Sequence, residues 1–243
     1  MDKEKKLQLL EEAFAEIHLR LESYQYEQFL QYYEMLIEKN KVMNLTSITE
    51  FEEVIHKHFV DSVVNLKKIV DNSKKISLID VGTGAGFPGI PIKIVYPFIK
   101  IVLLDSLNKR VKFLQEVIES LELQDIIAIH SRAEDAGRNV QYRETFDYCV
   151  SRAVANLATL SEYCLPFVKV GGCFISYKAG AVEEELEQSK KAIQLLGAEV
   201  EEKKDFILPN TDIHRSMIYI RKVKSTSQRY PRKSGMPSKE PLK

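Results

Sequence analysis

Apolar positions in the first seventy residues recur at helical spacing. Leu7, Leu10, Phe14 and Ile17 step by three and four, and Phe29, Tyr33, Leu36 and Ile37 fall on one stripe. No glycine or proline interrupts residues 4–70. Thr49 followed by Glu52 predicts a capping box that opens a third helix. Its stripe is Ile55, Phe59, Val63, Leu66 and Val70. The pattern predicts an N-terminal helical module over 1–70, joined to the rest by the polar stretch Asp71–Lys75.

The period then changes. Short β-rich runs at 76–81, 99–105, 126–129, 146–151 and 173–177 alternate with helix-length segments: one beginning near Pro88, then 107–123, 157–168 and 181–196. That alternation predicts an α/β layered sheet of mostly parallel strands over 71–224. Residues 198–208 and 215–223 are two extended runs separated by Pro209-Asn-Thr-Asp212, with no room for a helix. They predict a terminal antiparallel hairpin at the sheet edge. Residues 225–243 hold three prolines and no apolar period, and read as a tail.

Four of the ten glycines, Gly82, Gly84, Gly86 and Gly89, lie in the run Asp80-Val-Gly-Thr-Gly-Ala-Gly-Phe-Pro-Gly-Ile90. The run follows a strand and precedes a helix, the context in which such a loop cradles a ligand. Without Cβ atoms the backbone can turn sharply and touch its guest. The spacing fits both a dinucleotide loop and the loop of methyltransferases that use S-adenosylmethionine. Asp80 favours the second, because a carboxylate repels a pyrophosphate and attracts an ammonium or sulfonium. The terminal hairpin also suits a Rossmann-like class I S-adenosylmethionine-dependent methyltransferase sheet better than an all-parallel dinucleotide fold. Asp105 ends the next strand, where a carboxylate can accept from both ribose hydroxyls. It can equally cap the following helix, a task that Ser106 can also take. Residues 131–135 fall where an adenine would lie, and Arg152 falls just past a strand on the ligand side. For both, a plain surface role is about as good a reading.

Composition narrows the field. Lys plus Arg and Asp plus Glu each count 35, so the net charge is zero, which argues against indiscriminate coating of nucleic acid. Partition changes that picture. Residues 1–70 carry 9 basic and 13 acidic side chains, and residues 221–243 carry 8 and 1. The neutral total hides a basic tail on an acidic body. Cys149, Cys164 and Cys173 are odd in number and lack CxxC spacing, so neither a disulfide framework nor a cysteine zinc site is expected. No signal-like or membrane-length apolar run occurs, which predicts a reduced cytosolic compartment and no membrane partner. His56 and His58 are two residues apart and do not share a helix face, so no metal is expected.

The segments Met43-Asn-Leu-Thr46, His58-Phe-Val-Asp-Ser62, the glycine run, Leu104–Arg110, Phe146–Ala155 and Arg229-Tyr-Pro-Arg-Lys-Ser-Gly-Met-Pro237 resemble the RsmG (GidB) family of bacterial 16S ribosomal RNA guanine-N7 methyltransferases. The Ser-Arg-Ala-Val-Ala and Tyr-Pro-Arg-Lys segments carry most of the specificity. The resemblance implies cofactor contacts at Gly82, Phe87, Ala133, Glu134 and Arg152. Together with the loop residues, the expected cofactor set is Asp80, Gly82, Thr83, Gly84, Gly86, Phe87, Asp105, Ser106, Ala133, Glu134 and Arg152. It implies 16S ribosomal RNA or the small ribosomal subunit as partner, with RNA contacts at Arg229, Arg232 and Lys233 in a tail weakly ordered without RNA. Lys109 and Lys178 are secondary candidates.

Guanine N7 carries a lone pair and no proton, so in-line attack on a sulfonium methyl needs no general base, and no catalytic residue is expected. The absence of an Asn-Pro-Pro-Tyr motif or a Pro-Cys dipeptide agrees. The rival expectations are a methyltransferase for another RNA base, a non-catalytic ribosome-assembly protein, and a nicotinamide-dependent dehydrogenase.

Overall fold

The computed structural model describes residues 1–66, 75–153 and 155–243. The N-terminal helices are α1 (Lys3–Glu16) and α2 (Ser23–Met43). Asp2 opens α1 by accepting from Lys5 N, and Glu22 with Gln25 forms a capping box on α2. The third expected helix is different. It is a short α3 (Phe51–Val54), then a π-helical turn over Ile55–Val60, then α4 (Asp61–Val63). The expected Thr49 cap is not used; Glu50 holds the N-cap position without a side-chain bond. Ile55, Phe59, Val63 and Leu66 are buried as the stripe requires. Val70 and the Asp71–Lys74 stretch lie outside the described residues.

Seven strands form one sheet: β1 (Ser77–Val81), β2 (Lys100–Asp105), β3 (Ile126–His130), β4 (Phe146–Ser151), β5 (Val168–Ala179), β6 (Ala198–Ile207) and β7 (His214–Lys222). Their order is β3-β2-β1-β4-β5-β7-β6. The first five run parallel, and β7 enters antiparallel between β5 and β6. The expected hairpin is therefore present, with β6 at the edge. Between the strands lie α5 (Gly89–Val95), α6 (Asn108–Ser120), α7 (Ala133–Ala136), α8 (Leu157–Cys164) and α9 (Glu183–Leu195), and a last turn, α10 (Met236–Lys239), ends the chain.

Alternate side chains of the central strands face opposite layers. Leu78, Leu103 and Ile175 join the N-terminal helices, α5 and α6 in one core. Ile79, Leu104 and Phe174 join α8 and α9 in the other. Residues 1–66 thus share a core with the sheet instead of owning one. Polar bonds reinforce the seam. Gln28 Nε2 donates to Leu121 O at 2.8 Å, satisfying a carbonyl at the end of α6, and Gln25 Nε2 donates to Ile94 O at the end of α5. The three cysteines are free and buried, as core residues. Among the described residues, no helix is long and apolar enough to cross a membrane.

Candidate cofactor and acceptor cavities

The strand order reverses between β1 and β4, and ligands of open α/β sheets sit outside the strand ends at that point. A cavity of about 270 Å³ lies there, lined by Gly82 after β1, Asp105 and Ser106 after β2, Ala133 and Glu134 after β3, and Ala153 after β4. Five of the expected cofactor residues therefore converge: Gly82, Asp105, Ser106, Ala133 and Glu134.

The loop that forms the cavity floor is built on Asp80. Gly82 N and Thr83 N both donate to Leu104 O, tying the loop to β2. Asp80 is fully buried, and its Oδ2 accepts from Thr83 Oγ1 at 2.6 Å and from Gly89 N at 2.9 Å. Asp80 and Thr83 thus brace the loop and do not line the cavity, which corrects their expected direct contact. Gly86 faces inward too, because a Cβ there would meet Tyr32 Oη at 2.7 Å. Tyr32 reaches over from α2 and donates to Ala85 O at 2.6 Å. The sequence alone gave no sign of this clasp, because Tyr32 reads as one of several helical aromatics. Gly84 remains open, with nothing within 4 Å of a built Cβ, and its N–H donates to Asp105 Oδ2 at 2.9 Å.

Asp105 organises a turn and also lines the cavity. Oδ1 accepts from Leu107 N at 2.9 Å, organising the turn into α6, while the carboxylate stays on the cavity wall. Oδ2 also lies 3.5 Å from Arg110 Nη1, whereas Oδ1 retains a further acceptor site. Burial pushes the Asp80 carboxyl up to about 7, against the opposing bonds from Thr83 and Gly89. Its Oδ1 has no hydrogen-bond partner among the described residues. An orphaned acidic oxygen beneath the loop, with Asp105 and Glu134 on the wall, fits a cationic ligand carrying vicinal hydroxyls.

Arg152 lies elsewhere than expected. It lines a second, larger cavity of about 710 Å³, which shares Ala153 and Ala155 with the first, whereas Phe87 lines neither. The guanidinium lies over the Phe87 ring at 5.0 Å. Its Nη1 donates to Lys57 O and to Asp61 Oδ2, and its Nη2 donates to His58 Nδ1 at 3.1 Å. Arginine has only donors, so His58 Nδ1 accepts and its Nε2–H donates to Thr46 Oγ1 at 2.8 Å. Burial, then the charge of Arg152, lowers the His58 pKa to about 3. The imidazole is stacked on Phe87 at 4.5 Å. Helical spacing hid His58 and Asp61; the π turn re-aims both, and the signal available was their place in the His58–Ser62 segment.

The tail differs most from expectation. It is packed against the sheet layer, with Tyr230 and Pro237 buried. Arg232 makes a bidentate pair with the fully buried Glu162, at 2.9 and 2.7 Å. That pairing corrects its expected phosphate contact: the guanidinium anchors the tail. Gly235 N donates to Glu134 Oε1 at 2.8 Å, and Gly235 and Ser238 line the smaller cavity. Lys178 is also committed, donating to Ala155 O and Glu185 Oε1, both at 2.7 Å. Lys222, counted with the basic tail, is buried on Leu165 O and Val168 O. Arg229, Lys233 and Lys109 are exposed.

The profile of the family described as rRNA small subunit methyltransferase G matches residues 25–214. The chain is 53% identical over 231 residues to the ribosomal RNA small subunit methyltransferase G of Lachnoclostridium phytofermentans, covering 95% of each chain. It is 53% identical over 242 residues to that of Acetivibrio thermocellus, covering 99% of each. Among solved structures, it is similar in fold to the [4+2]-cyclase SpnF (TM-score 0.56, 14% identity, 84% of this chain and 97% of that one). It is also similar to TYW2 of P. horikoshii in complex with MeSAdo (TM-score 0.50, 18% identity, 62% and 58%). The chain belongs to the GidB family, rRNA small subunit methyltransferase G.

Proposed function

We propose that this chain transfers the methyl group of S-adenosylmethionine to N7 of a guanine in 16S ribosomal RNA. The cofactor, when bound, supplies a methyl group on a sulfonium, so that the guanine N7 lone pair forms the new C–N bond while the C–S bond breaks and leaves its electron pair on sulfur. Asp105 and Glu134 are the carboxylates available to its hydroxyls and ammonium. Asp80 holds the loop from below through its bonds to Thr83 and Gly89.

The observation that carries the N7 reading is the state of the side chains next to the shared Ala153–Ala155 boundary. His58 is a neutral acceptor tied at both nitrogens. Asp61 accepts from Arg152 on one oxygen and from Arg215 on the other. Glu185 Oε1 accepts from Lys178 and Leu157 N. None is poised to take a proton, which suits an acceptor atom that has none to lose. Position and local charge then carry the rate. Exposed Arg229, Lys233 and Lys109 are the cations proposed to meet RNA phosphates.

Labelled methyl transfer to small subunits from a strain lacking the activity, followed by nucleoside mapping, tests this reading. The expected product is 7-methylguanosine in 16S RNA. Label on another base or another atom refutes the N7 assignment, and RNA binding without transfer refutes catalysis.

A further inference from the structure

The larger cavity contains a guanidinium, that of Arg215, whose hydrogen-bonding capacity is mostly unspent among the described residues; Lys57, the other cation with donors to spare, is tied to Glu53 on its own helix turn. Lys57, Arg152, Lys178 and Arg215 line it, against two carboxylates, Asp61 and Glu185. Arg152 is consumed by Lys57 O, Asp61, His58 and the Phe87 face. Lys178 is held by Ala155 O and Glu185. Arg215 spends only its Nε, which donates to Asp61 Oδ1 at 3.0 Å. Its Nη1 and Nη2 have no partner among the described residues. Four N–H donors therefore sit on the wall of the cavity, on a side chain that is itself mostly enclosed, at 19% exposure.

The position of this fork is fixed by design of the chain. Arg215 sits on β7, paired with Ala179 at the end of β5, so its backbone lies in the sheet. Asp61, at 3% exposure, is shared between Arg152 and Arg215 and sets the spacing of the two guanidiniums. A planar fork preset by a buried carboxylate matches a phosphate, which takes paired N–H donors. The cavity volume of about 710 Å³ lies within the roughly 300–1,000 Å³ that small ligands occupy. Among the described residues, the small side chains of Ala153 and Ala155 are what this cavity and the smaller cavity share, so a base seated here would approach a methyl group held there.

We propose that this cavity seats the acceptor nucleotide of the RNA, turned out of its stack, and that the free Nη1 and Nη2 of Arg215 grip its phosphate. The proposal rests on the reading of the chain as a ribosomal RNA methyltransferase and names the seat of its substrate. Arg152 is the preset wall of that seat, and Arg215 is the element that meets the incoming anion. Nucleotides acted on by enzymes are taken out of the stack into such pockets.

Steady-state methylation of small subunits by the intact chain tests this, comparing wild type with Arg215→Ala and Arg215→Lys. The expected result for Arg215→Ala is a KM for small subunits raised at least ~10-fold, with kcat and affinity for S-adenosylmethionine within about twofold of wild type. Arg215→Lys keeps the charge without the fork and recovers part of that loss. A KM for Arg215→Ala within about twofold of wild type overturns the proposal. So does a loss confined to cofactor affinity. Unaltered cofactor affinity shows that the variant is folded. A wild-type chain that methylates no small subunit defeats the underlying reading instead, so the two failures are separable.

Discussion

Asp80 shows how one buried carboxylate sets the chemistry of the loop above it. Its folded pKa, about 7, stands above the ordinary carboxylate value because burial disfavours the charge. The folded chain therefore binds more protons than the unfolded chain between those values, and this group's contribution to stability falls as pH rises from about 4 to about 7. Asp80→Asn retains an acceptor for Thr83 and Gly89 and removes the titration. Urea unfolding across that window is expected to show wild type losing stability relative to Asp80→Asn, by up to about 1.4 kcal/mol per pH unit. A constant difference between the two would contradict the raised pKa. Asp105 belongs to the same scale. Asp105→Ala is expected to weaken S-adenosylmethionine binding by roughly 1.5–3 kcal/mol in calorimetric titration, the range for hydrogen bonds to a charged group. Unchanged affinity would remove Asp105 from the cofactor site.

At the scale of elements, the glycine loop is clamped from two sides. Gly89 packs so closely on β2 that an added Cβ would collide with Leu103 Cδ2 and approach Asp80 Oδ2 at 2.9 Å. Gly89→Ala is therefore expected to cost about 1–3 kcal/mol in chemical unfolding. From the other side, Tyr32→Phe removes the 2.6 Å bond from α2 to Ala85 O and leaves a buried carbonyl unpaired, at about 1–3 kcal/mol. These contacts also mark what the chain order made legible. Strands β1 to β4 and the terminal hairpin follow from apolar runs bounded by turn residues, because propensity and burial agree there. The loop was legible because only glycine serves its turns. The π turn was not, since Ile55, Phe59 and Val63 satisfy a regular helical stripe equally well; the contacts of His58 and Phe59 in that turn with Phe87 are long-range. Tyr32, His58 and Asp61 were missed as site residues for that reason: their roles are long-range, and local periodicity assigns them to core.

Across the whole molecule, the tail is the largest departure from expectation. Proline and charge content suggested a disordered segment, yet Arg232 finds the buried Glu162 and Arg143 donates to Tyr230 O and Thr226 O. Composition cannot reveal a partner seventy residues away. Gly235 and Ser238 line the smaller cavity, so tail docking shapes its wall. Arg232→Ala leaves Glu162 buried without its counterion, and is expected to destabilise the fold by about 3–5 kcal/mol in denaturant melts. A near-neutral effect would show the anchor to be dispensable. Arg229 and Lys233, expected to contact RNA together with Arg232, are exposed and remain the tail cations proposed for that role. Replacing either with alanine should flatten the log–log salt dependence of RNA binding by ~0.7, without changing cofactor affinity; an unchanged slope would take that residue off the RNA surface.

The proposed methyl transfer is directed by position and charge, with no uncommitted proton acceptor among His58, Asp61 and Glu185 in the wall. Single-turnover transfer to small subunits, at saturating S-adenosylmethionine from about pH 6 to about pH 8, tests that claim most directly. The account predicts a flat rate, because His58, Asp61 and Glu185 are all committed to partners and guanine N7 has no proton to give up. A rate rising about tenfold per pH unit through that window would reveal a titrating base and contradict it.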